Sequence, residues 1–246
     1  MAGEGSEFRG RRIPEATVVR LPVYQRILSE LLAGDQRTVS SEQLAVRARV
    51  NAAKVRKDLS HLGSFGTRGT GYDAALLVAQ IDRALGADRD WPIAIVGIGN
   101  LGRALANSEG FSSHGFRVGA LLDADPAVVG TMVGSVRVRH IDDLATVAAE
   151  ERPAVGVVAT PAAVAQEVTD ALVSIGVPSI LNFASRVLTV PPHVVLRNVD
   201  LSIELQVMSF YQARSGPGGV DGPVSSLGVV GRDGTGERRR AGRRPR

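Results

Sequence analysis

Residues 93–102 read Ile-Ala-Ile-Val-Gly-Ile-Gly-Asn-Leu-Gly, an apolar run that meets a glycine turn, and no other stretch constrains the chain as strongly. Four apolar residues in a row suit a parallel strand covered on both faces. Gly97, Gly99 and Gly102 carry the G-x-G-x-x-G spacing that lets backbone approach a pyrophosphate at a helix N-terminus, with Ile98, Asn100 and Leu101 in the same turn. Leu101, Ala104 and Leu105 then begin a helical pattern. The glycines alone also fit a purely structural turn. A second run, residues 118–123, ends in Asp123, which lies 26 residues beyond Gly97, where the fingerprint expects an acid that accepts from an adenosine ribose. Together the two strands predict a dinucleotide site, with Asp125 at its edge.

A chain of 246 residues with 44% hydrophobic and 22% charged residues has room for two small domains with sizeable cores. No apolar run approaches the roughly 18 residues of a membrane span, and no compact apolar segment opens the chain, so a cytoplasmic protein without membrane contact is expected. With no cysteine, any redox response must come from a bound ligand. Charge is segregated: Lys and Arg outnumber Asp and Glu by 13 to 9 in residues 1–86 and by 7 to 3 in residues 215–246, but are outnumbered 13 to 9 between them. One part of the chain therefore suits a polyanion partner.

Residues 1–13 read as a frayed arm, in which Arg9, Arg11 and Arg12 are either solvated or touch phosphate. Tyr24, Ile27, Leu28, Leu31 and Leu32 define one face of a helix that Ala33-Gly34-Asp35 closes. Ser40 with Gln43 makes a capping box for a short helix, and Asn51 caps another over 52–62 that buries Val55, Leu59 and Leu62. The free side of that helix carries Lys54, Lys57, Ser60 and His61, with Arg56 on its flank. Two short helices with a basic second one describe a helix-turn-helix, although a solvated charged face has the same pattern. Residues 63–72 follow with close-set glycines around Thr67 and Arg68, between the apolar anchors Phe65 and Tyr72. This predicts a tight hairpin or wing with Arg68 at its tip, reaching a neighbouring minor groove or backbone.

The segments Val55-Arg56-Lys57-Asp58-Leu59-Ser60, Gly63-Ser64-Phe65-Gly66-Thr67-Arg68-Gly69 and Val96-Gly97-Ile98-Gly99-Asn100-Leu101-Gly102, in that order, resemble the Rex family of redox-sensing transcriptional repressors. The resemblance runs from about residue 13 to residue 214. It implies that Arg26, Lys57 and Arg68 contact double-stranded operator DNA with an inverted repeat; Ser41, Lys54, Arg56, Ser60, His61 and Thr67 complete the candidate contacts. It also implies an α/β chain divided into a flexible arm (1–13), a winged-helix DNA-binding domain (14–86), a doubly wound Rossmann domain (87–200) and a C-terminal helix (201–214) swapped between two subunits of a homodimer. NADH is the implied ligand that releases DNA, with NAD⁺ its counterpart. Some members of the family carry an Arg just after the second glycine and a Tyr shortly after the third, which join an Asp equivalent to Asp200; here those positions are Asn100 and Ser108.

The remaining residues fit this frame on their own pattern. Residues 74–85 predict a linking helix stopped by Gly86, and 141–150 a further helix. Residues 155–159 form a third buried strand, Thr160-Pro161 opens a helix to about Ile175, and a strand over 179–183 follows. Thr160 and Pro161, with Asn182 and Phe183, border the nicotinamide end of the expected site or are simply turns. An enzyme would also need a placed acid or base. Both lysines, Lys54 and Lys57, lie in the head, and His114, His140 and His193 form neither a metal spacing nor a shared motif, so no catalytic residue and no metal are expected. An NAD-dependent dehydrogenase with an appended DNA-binding domain is the alternative. The chain then leads into an amphipathic helix with Ile203, Leu205, Val207, Met208, Phe210 and Tyr211, packed on its own domain or on a partner subunit. Residues 215–246, rich in Gly, Ser, Pro and Arg, are expected to be disordered.

Overall fold

The computed structural model describes residues 13–63 and 71–214, and the backbone of 66–67. The chain opens with α1 (Glu15–Val18) and α2 (Leu21–Ala33), followed by β1 (Thr38–Val39), α3 (Ser41–Ala48), α4 (Ala52–Ser60), β2 (Gly66–Thr67), β3 (Gly71–Asp73) and α5 (Ala74–Leu85). Local chemistry sets these ends. Ser40 and Gln43 form both halves of a capping box at α3, and the Asn51 side chain accepts from the Lys54 N–H at α4. Gly86 ends α5 in the left-handed conformation. Tyr24, Leu28, Leu44, Val55, Leu59, Leu77 and Ile81 meet in one core between the helices. The three strands pair antiparallel in the order β1-β3-β2, with Gly66 opposite Tyr72 and Thr67 opposite Gly71, so β2 and β3 are the arms of a hairpin. Phe65 and Arg68 lie outside the described residues.

The second unit begins at β4 (Trp91–Val96) and continues through α6 (Asn100–Ala106), α7 (Glu109–Ser112), β5 (Phe116–Asp123), β6 (Met132–Val133), β7 (Val136–His140), a 3₁₀ turn at Ile141–Asp143, and α8 (Leu144–Glu151). It is completed by β8 (Val155–Val158), α9 (Ala165–Ser174), β9 (Ser179–Asn182), β10 (Val195–Asn198) and α10 (Leu201–Arg214). The sheet order is β10-β9-β8-β4-β5-β7-β6, parallel throughout except for the β6–β7 pair. Removing β6 leaves the doubly wound Rossmann order. Each face of the sheet has its own core: Ala94, Val96, Leu122, Val158, Leu172 and Ile180 on one, Ile93, Ile95, Leu121, Val138 and Val157 on the other.

Three details depart from the sequence expectation. The β6–β7 hairpin at the sheet edge was not anticipated. Residues 161–164 turn along the sheet's end, so the helix expected from Thr160-Pro161 starts only at Ala165. The C-terminal helix is not cleanly amphipathic: Leu201, Ile203, Leu205, Val207, Met208, Phe210 and Tyr211 spread over roughly 220° of its circumference with Glu204 and Arg214 among them, and none is buried. No helix among the described residues is long and apolar enough to cross a membrane.

Candidate functional site

The C-terminal ends of β4, β5, β8 and β9 open on a cavity of about 1020 Å³. It lies where β4 and β8 adjoin and their following helices leave in opposite directions, the crevice in which open α/β sheets take their ligands. Gly97, Gly99, Leu101, Asp123, Asp125, Thr160, Pro161 and Phe183, all expected from the sequence, line it. Ile98 instead points into the core, Asn100 is exposed, and Gly102 is buried beneath the turn. Asn182 is buried as well; its amide nitrogen donates to the carbonyls of Ala184 and Arg186 and to Asn198 Oδ1, while its Oδ1 accepts from the Ala184 N–H. It therefore holds the loop after β9, and its neighbour Phe183 faces the cavity.

The three glycines are glycine for different reasons. Gly97 has φ +93°, and a Cβ there would stand 2.7 Å from the Ala159 carbonyl oxygen. A Cβ on Gly102 would collide with the Gly97 carbonyl, so the helix packs directly on the turn. Neither constraint applies to Gly99, whose φ of −71° any residue adopts and whose Cβ would meet nothing within 4 Å. The protein's own packing does not require glycine at 99; the space it leaves open belongs to the cavity.

Asp123 has two jobs at this junction. Its Oδ2 accepts from the Ile98 N–H at 2.6 Å and its Oδ1 from the Asp125 N–H at 2.9 Å, and each oxygen keeps a second acceptor position. Two carboxylates that sequence reasoning missed, Asp142 and Glu167, join Asp123 and Asp125 in the cavity wall, and no Lys or Arg lies among the lining residues. Asp142 follows the unexpected edge hairpin, and Glu167 sits in the first turn of α9; neither belongs to a sequence motif. Thr160 Oγ1 is buried with no hydrogen-bond partner among the described residues, an arrangement that costs about 1–3 kcal/mol unless a ligand supplies one. The donor set, the space at Gly99 and the orphaned hydroxyl fit a dinucleotide without an added phosphate on its ribose.

At the other end of the chain, α4 turns Lys54, Lys57 and Ser60 outward, with the Ser60 hydroxyl donating to the Lys57 carbonyl. Arg56 is held: its Nη1 donates to Ser41 Oγ and Glu42 Oε1, both at 2.9 Å, which ties α4 to α3. Arg26 on α2 is exposed and pairs with Glu30 at 3.3 Å. His61, half-buried at the end of α4, has an unpartnered buried Nε2. Thr67 is described by its backbone alone.

The apolar side of α4 carries a carboxylate, Asp58, which is buried. Arg20 grips it with Nε and Nη2 at 2.7 Å each, and Thr17 Oγ1 and Tyr24 OH donate to it at 2.8 Å. Burial pushes the Asp58 carboxyl up, but the bonds from Arg20, Thr17 and Tyr24 outweigh it and hold the group below its ordinary value. Tyr24 is raised by burial and by the same carboxylate. This cluster fixes α4 against α1 and α2. Its sequence signal was an acid three residues after Val55, inside the apolar stripe of a basic helix.

Asp200 caps α10, accepting from the Ser202 N–H at 2.9 Å and its hydroxyl at 2.6 Å, which lowers its pKa. Along α10, Phe210 and Tyr211 stack edge to face, and nothing among the described residues buries the helix.

Comparison with known proteins shows the family. A family described as "Putative DNA-binding protein N-terminus" matches residues 12–60, and one described as "CoA binding domain" matches residues 88–186. The redox-sensing transcriptional repressor Rex of Streptomyces griseus is 58% identical over 206 residues, which cover 84% of this chain and 81% of that protein. The repressor of the same name from Syntrophomonas wolfei is 46% identical, covering 82% of this chain and 96% of its own. Among solved structures, RSP in complex with NAD⁺ and operator DNA superposes with a TM-score of 0.78 at 34% identity, covering 82% of this chain and 94% of its own. RSP in complex with NADH gives 0.75 at 33% identity, covering 82% and 95%. The chain belongs to the Rex family of redox-sensing transcriptional repressors.

Proposed function

We propose that this protein is a cytoplasmic homodimeric repressor that binds an inverted-repeat operator and leaves it when NADH enters the cavity beside Gly99. The observation that carries the reading is Gly99 itself, a glycine that neither backbone conformation nor packing demands, at the mouth of a 1020 Å³ cavity. The likeness to a Rex-family repressor solved with NAD⁺ and operator DNA, and again with NADH, supports it. The relatives are named repressors, which favours this reading over a dehydrogenase.

In this account residues 14–86 form the DNA-binding domain and 87–200 the dinucleotide domain. Lys54, Lys57, Ser60 and His61 on α4, with Thr67 and Arg68 in the wing, face the duplex; Arg26 adds a backbone contact, and Ser41 acts through Arg56. Gly97, Ile98, Gly99, Asn100, Leu101 and Gly102 form the pyrophosphate turn, and Asp123 and Asp125 take the adenosine ribose. Thr160, Pro161 and Phe183 border the nicotinamide, with Asn182 holding the loop that presents Phe183.

A helix that keeps Ile203, Leu205, Met208 and Phe210 more than half exposed among the described residues calls for burial elsewhere. The occupant of that role is α10 of each subunit, inserted into its partner through Ile203, Leu205, Phe210 and Tyr211 and hinged at Asp200. The dinucleotide, when bound, supplies a ring that is neutral in NADH and cationic in NAD⁺. Pro161, Val164 and Phe183 give the ring an apolar border, where burying an unpaired cation is costly. Closure of the dimer around the reduced ring then changes the spacing of the two α4 helices. Shifting it from nearly all open to nearly all closed takes roughly 5.5 kcal/mol of differential binding.

Selection from a pool of random duplexes with the ligand-free protein tests the DNA half of the proposal. Enrichment of an inverted repeat with half-sites a whole helical turn apart is expected. Recovery of direct repeats, or of no shared sequence, contradicts it.

A further inference from the structure

Two polar contacts stand in series between the dinucleotide sheet and α4. Arg197, on the edge strand β10 and three residues before Asp200, donates from Nη2 to Glu15 Oε1 at 2.7 Å. Glu15 opens α1, and the residues that follow it, Thr17 and Arg20, donate to Asp58 on α4 at 2.8 Å and 2.7 Å. Among the described residues the Glu15–Arg197 pair is the ion pair that joins residues 13–85 to residues 91–214.

The two ends of this series differ in strength. At the α4 end the carboxylate is 3% exposed and held by four hydrogen bonds, one from Thr17 on α1, two from Arg20 at the start of α2 and one from Tyr24 on α2, which tie α1, α2 and α4 together. At the sheet end the partners are 32% and 61% exposed and share one bond. A pair so open to water adds little to folding stability. It is nonetheless placed where a displacement of β10 and the start of α10 reaches the helix that faces DNA.

We propose that Glu15 and Arg197 are positioning residues for ligand-driven release: their ion pair ties the body formed by α1, α2 and α4 to the strand that leads into α10. The proposal rests on the repressor reading above. Without the pair, α4 no longer follows the sheet, so NADH still binds and DNA still binds, but the one expels the other less effectively. A pair of this kind accounts for about a fivefold change, the low end of measured coupling between sites.

Three titrations of the full-length protein, with Arg197→Ala and Glu15→Ala each beside wild type, test it. Operator affinity without ligand and NADH affinity without DNA are expected to stay within about twofold of wild type. The NADH concentration that releases half of the bound operator is expected to rise about fivefold in either variant. The exchange Glu15→Arg with Arg197→Glu is expected to return it toward the wild-type value, which loss of a merely structural side chain would not do. Release at the wild-type NADH concentration in both single variants, or no recovery in the exchange, overturns the proposal. A wild-type protein that binds no operator, or is not released by NADH, fails the repressor reading and this inference with it.

Discussion

The carboxylate of Asp123 accepts the backbone N–H of Ile98 at 2.6 Å, so the acid that ends β5 also fixes the glycine turn that follows β4. A substitution there has two separable consequences. Asp123→Asn keeps an oxygen for Ile98, sets its NH2 against the Asp125 N–H and removes the charge that repels a ribose 2′-phosphate, so the preference for NADH over NADPH is expected to narrow about tenfold, or 1.4 kcal/mol, with a melting temperature lowered by less than in Asp123→Ala. Asp123→Ala loses the turn as well and weakens both cofactors. Calorimetric titration of the two variants with each cofactor distinguishes these outcomes; equal affinity of the native protein for NADH and NADPH would remove Asp123 from the role.

The glycines predict a contrast between two single methyl groups. Gly102→Ala drives a Cβ into the Gly97 carbonyl and is expected to cost about 1–3 kcal/mol of stability, read as a lowered melting temperature. Gly99→Ala meets no protein atom within 4 Å, so stability is expected to hold within about 0.5 kcal/mol while NADH affinity falls. A Gly99→Ala protein that binds NADH normally contradicts the placement of the pyrophosphate.

Asp58 makes the N-terminal unit sensitive to acid. Its folded-state pKa lies below the ordinary carboxylate value, so its contribution is fully present above that value and is lost as pH falls through the lowered one. Asp58→Asn removes this dependence. Asp58→Ala, which strands Arg20, is expected to destabilise by about 3 kcal/mol. Thermal unfolding followed between pH 6 and pH 3 should give a steeper loss for wild type than for Asp58→Asn; parallel profiles contradict the assignment.

On the side of α4 proposed to face DNA, Lys57 is exposed and pairs with no carboxylate among the described residues, whereas Arg56 is engaged with Ser41 and Glu42. Lys57→Ala is therefore expected to lower the slope of log affinity against log salt by about one, the signature of one lost phosphate contact. Arg56→Ala is expected to act through the seating of α4 on α3 and to change the slope less. Operator titrations at several salt concentrations read both.

Much of this arrangement was legible in the sequence because its signals are local. The strand that runs into Gly97, the caps at Ser40 and Asn51, and the stop at Gly86 are each written within a few residues. What was not legible depends on distance or on missing periodicity. Asp58 finds Arg20 and Thr17 38 and 41 residues away, and no helical pattern announces such a partner. Asp142 and Glu167 reach the cavity wall through the topology of the sheet and not through a motif. In α10 the count of apolar residues suggested a one-sided helix, but Glu204 and Arg214 sit among them, and it is the shared exposure of the apolar residues that points to a second subunit.

In the proposed mechanism one dinucleotide redox state, sensed in the cavity of β4, β5, β8 and β9, frees the DNA held by α4. The most direct measurement is fluorescence anisotropy of a labelled inverted-repeat operator held by the full-length protein and titrated separately with NADH and NAD⁺. Release by NADH at concentrations where NAD⁺ leaves the complex intact is the predicted result, lost on deletion of residues 203–246 and retained on deletion of 217–246. Release by both dinucleotides at the same concentration, or NADH-driven release that survives the longer deletion, contradicts the account.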